Sequence, residues 1–197
     1  MKKFLLSALI LVCSFVHGQE CPLEGDATTK GKKELNKKKN MSVEIDDDHA
    51  AEELPLRNLL PSRKRKNDKS LWREGAYVVM DGYLVDFEEQ GPESCNCNEA
   101  LKSKKTGDVH MFLGLVPAAA KKNCLVIEIT PAFKKKFSGY EDTLIKNAKI
   151  RVWGYLFYDY PHEKDAFTTC DACTHIWRKT PWEIHPITNI EVLEGPQ

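Results

Sequence analysis

Hydrophobic and polar residues alternate in several stretches of the later two thirds of the chain, and such alternation is typical of half-buried β-strands. Five strands are predicted, at residues 75–86, 108–115, 123–130, 149–158 and 182–193. A helix is predicted between the third and the fourth strand. Thr130 suits its cap and Pro131 its first position. The helical spacing runs through Phe137 and on to Leu144, Ile145 and Ala148, with an interruption at Gly139.

The order of these elements, β-β-β-α-β-β, is that of the OB-fold, a five-stranded Greek-key barrel with a helix after its third strand. Gly82 and Gly154 lie inside the first and the fourth strand, where a small barrel has to bend sharply. An SH3-like barrel would lack the helix, and an immunoglobulin sandwich would need about seven strands. We therefore predict a mainly β protein whose OB-fold domain spans residues 71–197.

The first eighteen residues have the composition of a secretory signal peptide. Two lysines precede an apolar run over residues 4–16, which is too short to cross a membrane. We predict cleavage after Gly18 and export to the periplasm or the exterior, with no later transmembrane segment. A lipid anchor on Cys21 is disfavoured, because a lipoprotein signal has a small residue before its cysteine and Glu20 stands there.

Residues 19–70 differ in composition from the predicted barrel. Between residues 26 and 70 there are 12 Lys and Arg against nine Asp and Glu. These charges form blocks of one sign, at residues 37–39, 46–48 and 63–66. Few apolar side chains offset the entropy cost of ordering this segment, so it is predicted to be a mostly disordered, solubilising linker. A short helix near residues 50–60 is compatible with the pattern.

Cysteines remain in even number after the predicted cleavage, which favours disulfide bonds in an oxidising compartment. The candidates are Cys21, Cys95, Cys97, Cys124, Cys170 and Cys173. The sequence does not determine their pairing. A zinc site formed by the Cys95/Cys97 and Cys170/Cys173 pairs is the alternative, since zinc takes thiolate ligands.

Polar side chains form i, i+2 pairs on three of the predicted strands, so each pair shares one strand face. The pairs are Asp108 with His110, Glu128 with Thr130, and Glu183 with His185. The barrel order brings these strands together, so Asp108, His110, Glu128, Glu183 and His185 form a candidate patch for a divalent metal, a ligand or acid–base chemistry. An ordinary solvent-exposed strand face is the alternative. The residues of the opposite face are predicted to build the core: Val109, Met111, Leu125, Ile127, Trp182 and Ile184.

Four short motifs carry a resemblance to known proteins. They are Gly-Pro-Glu-Ser-Cys-Asn-Cys at 91–97, Asp108-x-His110, Glu128-x-Thr130-Pro131 and Trp182-Glu183-Ile184-His185-Pro186. With them the region 72–193, about two thirds of the chain, resembles a group of bacterial OB-fold proteins that are often exported and described as nucleic-acid-binding. The resemblance implies the fold and export. Nucleic-acid binding in that group is itself inferred from the fold.

OB-folds bind single strands through the face of their second and third strands and the neighbouring loops. A basic groove could be formed there by Lys102, Lys104, Lys105 and Arg178. Against this, residues 71–197 hold 18 acidic and 15 basic side chains. The leading hypothesis is an exported OB-fold module that binds single-stranded nucleic acid or another anionic polymer. A metal-dependent, nuclease-like hydrolase and a disulfide-stapled structural domain are the alternatives.

Overall fold

The computed structural model describes residues 21–41, 43, 50–64, 68–103 and 106–196. The predicted signal peptide, Lys104 and Lys105 lie outside these residues. The helices and strands are α1 (Lys30–Lys39), β1 (Glu52–Glu53), α2 (Leu56–Leu59), β2 (Tyr77–Glu89), β3 (Val109–Gly114), β4 (Leu125–Ile129), α3 (Pro131–Lys136), β5 (Lys149–Tyr158) and β6 (Trp182–Glu194). Among the described residues, no helix is both long enough and apolar enough to cross a membrane.

Five strands close into a barrel in the order β2-β3-β4-β6-β5, with β5 pairing back to β2. The short β1 adds a sixth strand, parallel to the start of β2. Strand β2 pairs with β5 through its first half and with β3 through its second half, and its register shifts between Leu84 and Asp86. This is the strand order of the OB-fold, so the predicted fold class is confirmed.

Gly82 in β2 and Gly154 in β5 lie at close approaches inside the barrel. A Cβ on Gly82 would lie 2.6 Å from Leu113 Cγ and 2.7 Å from Leu56 Cδ2. The pairing of β5 with β6 changes register on either side of Gly154. Hence a larger side chain at either position would push neighbouring elements apart.

The barrel interior is filled by the apolar face of the strands. The residues predicted for this face, Val109, Met111, Leu125, Ile127, Trp182 and Ile184, are all buried. Helix α3 begins with a capping hydrogen bond, which Thr130 Oγ1 accepts from Phe133 N. The Phe133 ring is buried in the core, and this anchors the helix to the barrel. The helix is shorter than predicted. It ends at Lys136, and the backbone at Gly139 is left-handed with φ 84°.

The charged segment before the barrel is ordered where the structure describes it. Helix α1 lies in this segment, and Leu54, Leu56, Leu59 and Leu60 are buried in the barrel core. The prediction of a mostly disordered linker over residues 19–70 is therefore wrong for the described residues, and the domain begins before residue 71. The cause is that four leucines in seven residues suffice to dock a short segment, although the charge count around them is high.

We expect Leu59→Ala to lower the free energy of unfolding by about 2–5 kcal/mol, because it leaves a cavity in the core. The Leu59 side chain is only 1% exposed. Urea denaturation monitored by circular dichroism measures the change. Leu101→Ala is the control, since Leu101 is 73% exposed and should change the stability by no more than about 0.5 kcal/mol. Equal effects of the two substitutions would show that residues 54–60 are not part of the folded unit.

Candidate functional site

The candidate polar residues lie on the outer face of three adjacent strands, β3, β4 and β6. Strand pairing places His110 opposite Glu128, and Glu183 opposite Val126. Their neighbours along each strand point into the barrel core, so these side chains point away from it. This outer face includes the one that OB-folds commonly use to bind ligands.

Glu128 lies at the centre of the site. Its Oε1 is 2.9 Å from His110 Nε2, and its Oε2 is 3.2 Å from His185 Nε2. Ligand atoms of Glu128, Glu183 and His185 all lie within 4.8 Å of one another. All five predicted patch residues, Asp108 included, are buried. The alternative of a solvent-exposed strand face is therefore wrong. We call His110, Glu128, Glu183 and His185 the central cluster.

Asp108 lies beside the central cluster in a second group of ligating side chains. Carboxylate and thiol atoms of Glu93, Cys95 and Asp108 lie within 4.8 Å of one another. Asn96 Nδ2 donates a hydrogen bond of 2.8 Å to Asp108 Oδ2. The turn at residues 93–98 thus places Glu93, Cys95 and Asn96 beside Asp108, which strand alternation alone did not predict.

Helix α1 covers one side of the central cluster. Lys39, at the end of α1, places its Nζ 2.7 Å from Glu93 Oε2 and 3.8 Å from Glu128 Oε2. Asn36 and Asn40 hold the helix in place through hydrogen bonds to Ser94 Oγ and to the carbonyl oxygen of Cys95. A residue of the predicted linker therefore provides a cation next to the buried carboxylates.

The loop between β5 and β6 covers the other side. Arg178 is 0% exposed, and its guanidinium lies 2.8 Å from Glu183 Oε2 and 2.6 Å from Asp159 Oδ2. The rings of Trp177 and His110 stack, with centroids 6.3 Å apart. The prediction that Arg178 lines an open basic groove is wrong, because this side chain neutralises buried carboxylates instead.

The other predicted groove residues give no continuous basic surface in the described part of the chain. Lys102 is exposed, and Lys104 and Lys105 lie outside the described residues. Phe112, the aromatic residue of β3, is buried at 1% exposure beneath the Lys121 ammonium group. A base could not stack on this ring without displacing the residues that cover it.

Several buried polar atoms of the site have no hydrogen-bond partner among the described residues. They are Asn96 Oδ1, Asp108 Oδ1, His110 Nε2, Glu128 Oε2, Glu183 Oε1, His185 Nδ1 and His185 Nε2. Glu128 Oε1 lies 2.9 Å from His110 Nε2, and Glu128 Oε2 lies 3.2 Å from His185 Nε2; each contact becomes a hydrogen bond when that ring nitrogen carries a proton. Each unsatisfied buried polar group costs about 1–3 kcal/mol, and these atoms are concentrated in one place.

Burial and neighbouring charges shift the pKa values of several residues of the site. Burial, together with Glu128 and Glu93, raises the pKa of Asp108 to about 7. Burial and the neighbouring carboxylates, Glu128 first, raise the pKa of Glu183 well above its usual range. Burial lowers the pKa of His185 to about 4, which leaves a neutral imidazole, the form that binds metals. A further cation would relieve both carboxyl groups.

Only part of the predicted disulfide pattern is present. Cys21 pairs with Cys97, and Cys170 pairs with Cys173. Cys95 and Cys124 are buried free thiols, so their prediction as disulfide partners is wrong. The alternative zinc site is also wrong, because Cys97 and the Cys170/Cys173 pair are held in separate disulfides. Burial raises the pKa of Cys95 above its usual range and that of Cys124 to about 11, which keeps both thiols protonated.

A cavity of about 460 Å³ gives access to the site. Asp108, Asn96 and His185 form part of its lining, and α3 and the segment around Met41 form its walls. Among the four residues of the central cluster, His185 is the one that borders this cavity.

No protein-family model and no curated protein matches the chain. Solved structures resemble it at low identity. Asparaginyl-tRNA synthetase from Entamoeba histolytica, in complex with asparaginyl-adenylate, is 9% identical with a TM-score of 0.39, and the match covers 75% of this chain and 25% of that enzyme. A second structure of the same enzyme is 10% identical with a TM-score of 0.39, and the match covers 76% of this chain and 25% of that chain.

OBody AM3L15, bound to hen egg-white lysozyme, is 11% identical with a TM-score of 0.36; the match covers 62% of this chain and 84% of that one. The chain thus spans about a quarter of the synthetase. Because the TM-scores are this low, these similarities carry no argument about function.

Proposed function

We propose that this OB-fold protein binds a divalent transition metal at the central cluster of His110, Glu128, Glu183 and His185. The observation that carries the proposal is the group of buried polar atoms without hydrogen-bond partners, five of which belong to these four residues. Two imidazoles and two carboxylates are a ligand set that suits zinc and neighbouring transition metals.

The positions of the ligand atoms support this assignment. Metal-bound nitrogen and oxygen atoms lie about 2.0–2.2 Å from zinc, so neighbouring ligand atoms are about 3–3.6 Å apart. The contacts of Glu128 with the histidines, Oε1 to His110 Nε2 at 2.9 Å and Oε2 to His185 Nε2 at 3.2 Å, are in or near this range, so Glu128 would have to offer both oxygens. A carboxylate oxygen of Glu183 lies within 4.8 Å of ligand atoms of both Glu128 and His185.

Asp108 favours metal-dependent hydrolysis as the activity of such a centre. Its unpaired Oδ1 faces the same buried region, it lines the cavity, and its pKa of about 7 suits proton transfer near neutrality. A bound metal would supply an activated water molecule, and Asp108 would accept or return its proton. This assignment is a proposal that goes beyond metal binding.

The number of metal ions that the protein binds tests the proposal directly. We expect protein stripped with EDTA to take up one zinc or manganese ion per chain in isothermal titration calorimetry, and His185→Ala to take up none. His175→Ala is the matched control, because His175 is exposed and lies outside the central cluster. If wild-type protein and His185→Ala titrate alike, or if neither binds metal, the proposal fails.

Export and nucleic-acid binding remain predictions from the sequence. The Cys21–Cys97 disulfide supports export, since such bonds persist in oxidising compartments. Nucleic-acid binding has less support than metal binding, because the chain covers its own OB-fold binding face. Fluorescence anisotropy with a labelled single-stranded nucleic acid at low salt distinguishes nucleic-acid binding from metal binding. Salt-sensitive binding that EDTA does not alter would favour the nucleic-acid hypothesis.

A further inference from the structure

The cavity beside the central cluster has the dimensions of a small-molecule site. Its volume is about 460 Å³, within the range of about 300–1,000 Å³ that is usual for ligand pockets. Much of its wall is apolar and comes from both the N-terminal segment and the start of α3. The apolar lining residues are Leu23, Met41, Val43, Pro131, Ala132 and Pro186.

The charged groups of the cavity lining are mostly positive. Lys39, Lys135 and Lys136 line it, whereas Asp108 is its one acidic residue among those described. In a chain with equal numbers of acidic and basic side chains, this lining favours an anion.

The lysines differ in how they are engaged. Lys39 is nearly buried and contacts Glu93 Oε2 at 2.7 Å. Lys136 Nζ donates a 3.2 Å hydrogen bond to the carbonyl oxygen of Val43, and no carboxylate among the described residues pairs with it. Lys135 is exposed and has no ion-pair partner within the part of the chain that the structure describes. Lys135 and Lys136 are therefore placed to receive an acidic group at the cavity.

The inner part of the cavity holds polar atoms that have no partner. Asn96 Oδ1, Asp108 Oδ1 and both ring nitrogens of His185 lack hydrogen bonds. These three side chains are each more than nine-tenths buried and all line the cavity. A ligand that carries a second polar group could satisfy them, since buried polar atoms are normally hydrogen-bonded.

We propose that the cavity binds a small amphiphilic anion. Its apolar body lies along the wall formed by Met41, Val43 and Ala132, and its carboxylate or phosphate group contacts Lys135 and Lys136. Molecules of this class would be the substrates of the central cluster. This role as substrate rests on the proposed function. Binding of the anion itself depends only on the cavity.

Calorimetric titration with octyl phosphate and with octanoate, below their micelle concentrations and in the presence of EDTA, tests the cavity without the metal. We expect at least one of the two anions to bind, and the tighter one identifies the preferred acidic group. Octyltrimethylammonium has the same apolar chain with the opposite charge, so its binding should be at least tenfold weaker.

Two variants test the position of the ligand. Lys135→Ala/Lys136→Ala should weaken anion binding at least tenfold, whereas Lys122→Ala/Lys164→Ala, which removes two exposed lysines outside the cavity lining, should not. Ala132→Trp should abolish binding, because its ring would fill the cavity. Circular dichroism confirms that each variant is folded.

The outcomes separate this inference from the proposed function. If folded wild-type protein binds neither anion, or if the two lysine pairs have equal effects, the amphiphilic-anion site is refuted. Anion binding by a protein that takes up no zinc or manganese would support the amphiphilic-anion site and refute the metal centre. Metal uptake without anion binding would support the metal centre and refute the amphiphilic-anion site.

Discussion

Replacing Glu128 with Gln is expected to lower the affinity for zinc or manganese by at least about 100-fold, since loss of groups that support a metal already costs about 10–100-fold. Glu128 is the residue that contacts both histidines of the central cluster, at 2.9 and 3.2 Å. Lys39 and both histidines hold its pKa well below the usual range although burial opposes this, so the wild-type side chain is an anion. Gln keeps the size and removes the charge.

Calorimetric titration of the stripped Glu128→Gln protein measures this loss. The control is Glu191→Gln, because Glu191 lies on the same strand β6 as two of the ligands but is exposed. Lys39 retains Glu93 as its partner in the variant, so the fold should persist. An affinity within a factor of three of the wild-type value would exclude Glu128 as a ligand and with it the proposed centre.

Arg178→Met is expected to lower the free energy of unfolding by about 3–5 kcal/mol, because it leaves buried carboxylates without their cation. The guanidinium lies 2.8 Å from Glu183 Oε2 and 2.6 Å from Asp159 Oδ2, and its Nε donates to the carbonyl oxygen of Thr180 at 2.9 Å. Met fills most of the space that the aliphatic part occupies. The decrease in the free energy of unfolding therefore reflects the lost charge more than lost packing.

Urea denaturation at pH 7 measures this effect, and Arg73→Met is the control. Arg73 is 75% exposed and lies 3.8 Å from Glu52, and an exposed pair of this kind contributes at most about 1 kcal/mol. Arg178→Lys should fall between the two, because Lys keeps the charge but cannot make the contacts of the guanidinium together. A loss below 1 kcal/mol in Arg178→Met would mean that the carboxyl groups do not need Arg178.

The barrel could be predicted from the sequence because its strands carry a local signal. Alternation at Val109 and Met111, and again at Leu125 and Ile127, follows directly from the two faces of a strand. The same alternation placed Asp108, His110, Glu128, Glu183 and His185 on one side of the sheet. Strand order then brought the last four together, so the core of the site was predictable from short-range patterns and a known topology.

The groups that bury the site could not be predicted in this way. Lys39 lies 89 positions before Glu128 in the chain, and the charge-rich composition around it is typical of solvated segments. Arg178 was misassigned because arginine is usually exposed, and nothing local marks its two carboxylate partners. Contacts between distant loops depend on the folded barrel, and the sequence holds no period or spacing that encodes them.

The register shift at Gly154 has a consequence for the site. A Cβ there would lie 2.4 Å from Ile184 Cγ2 and 2.5 Å from the carbonyl oxygen of Pro186. His185 lies between these two residues on β6. Even a methyl group on Gly154 would therefore displace the backbone that carries a proposed ligand. Strand β5 contributes no ligand to the central cluster, yet its missing side chain determines how closely His185 can approach Glu128.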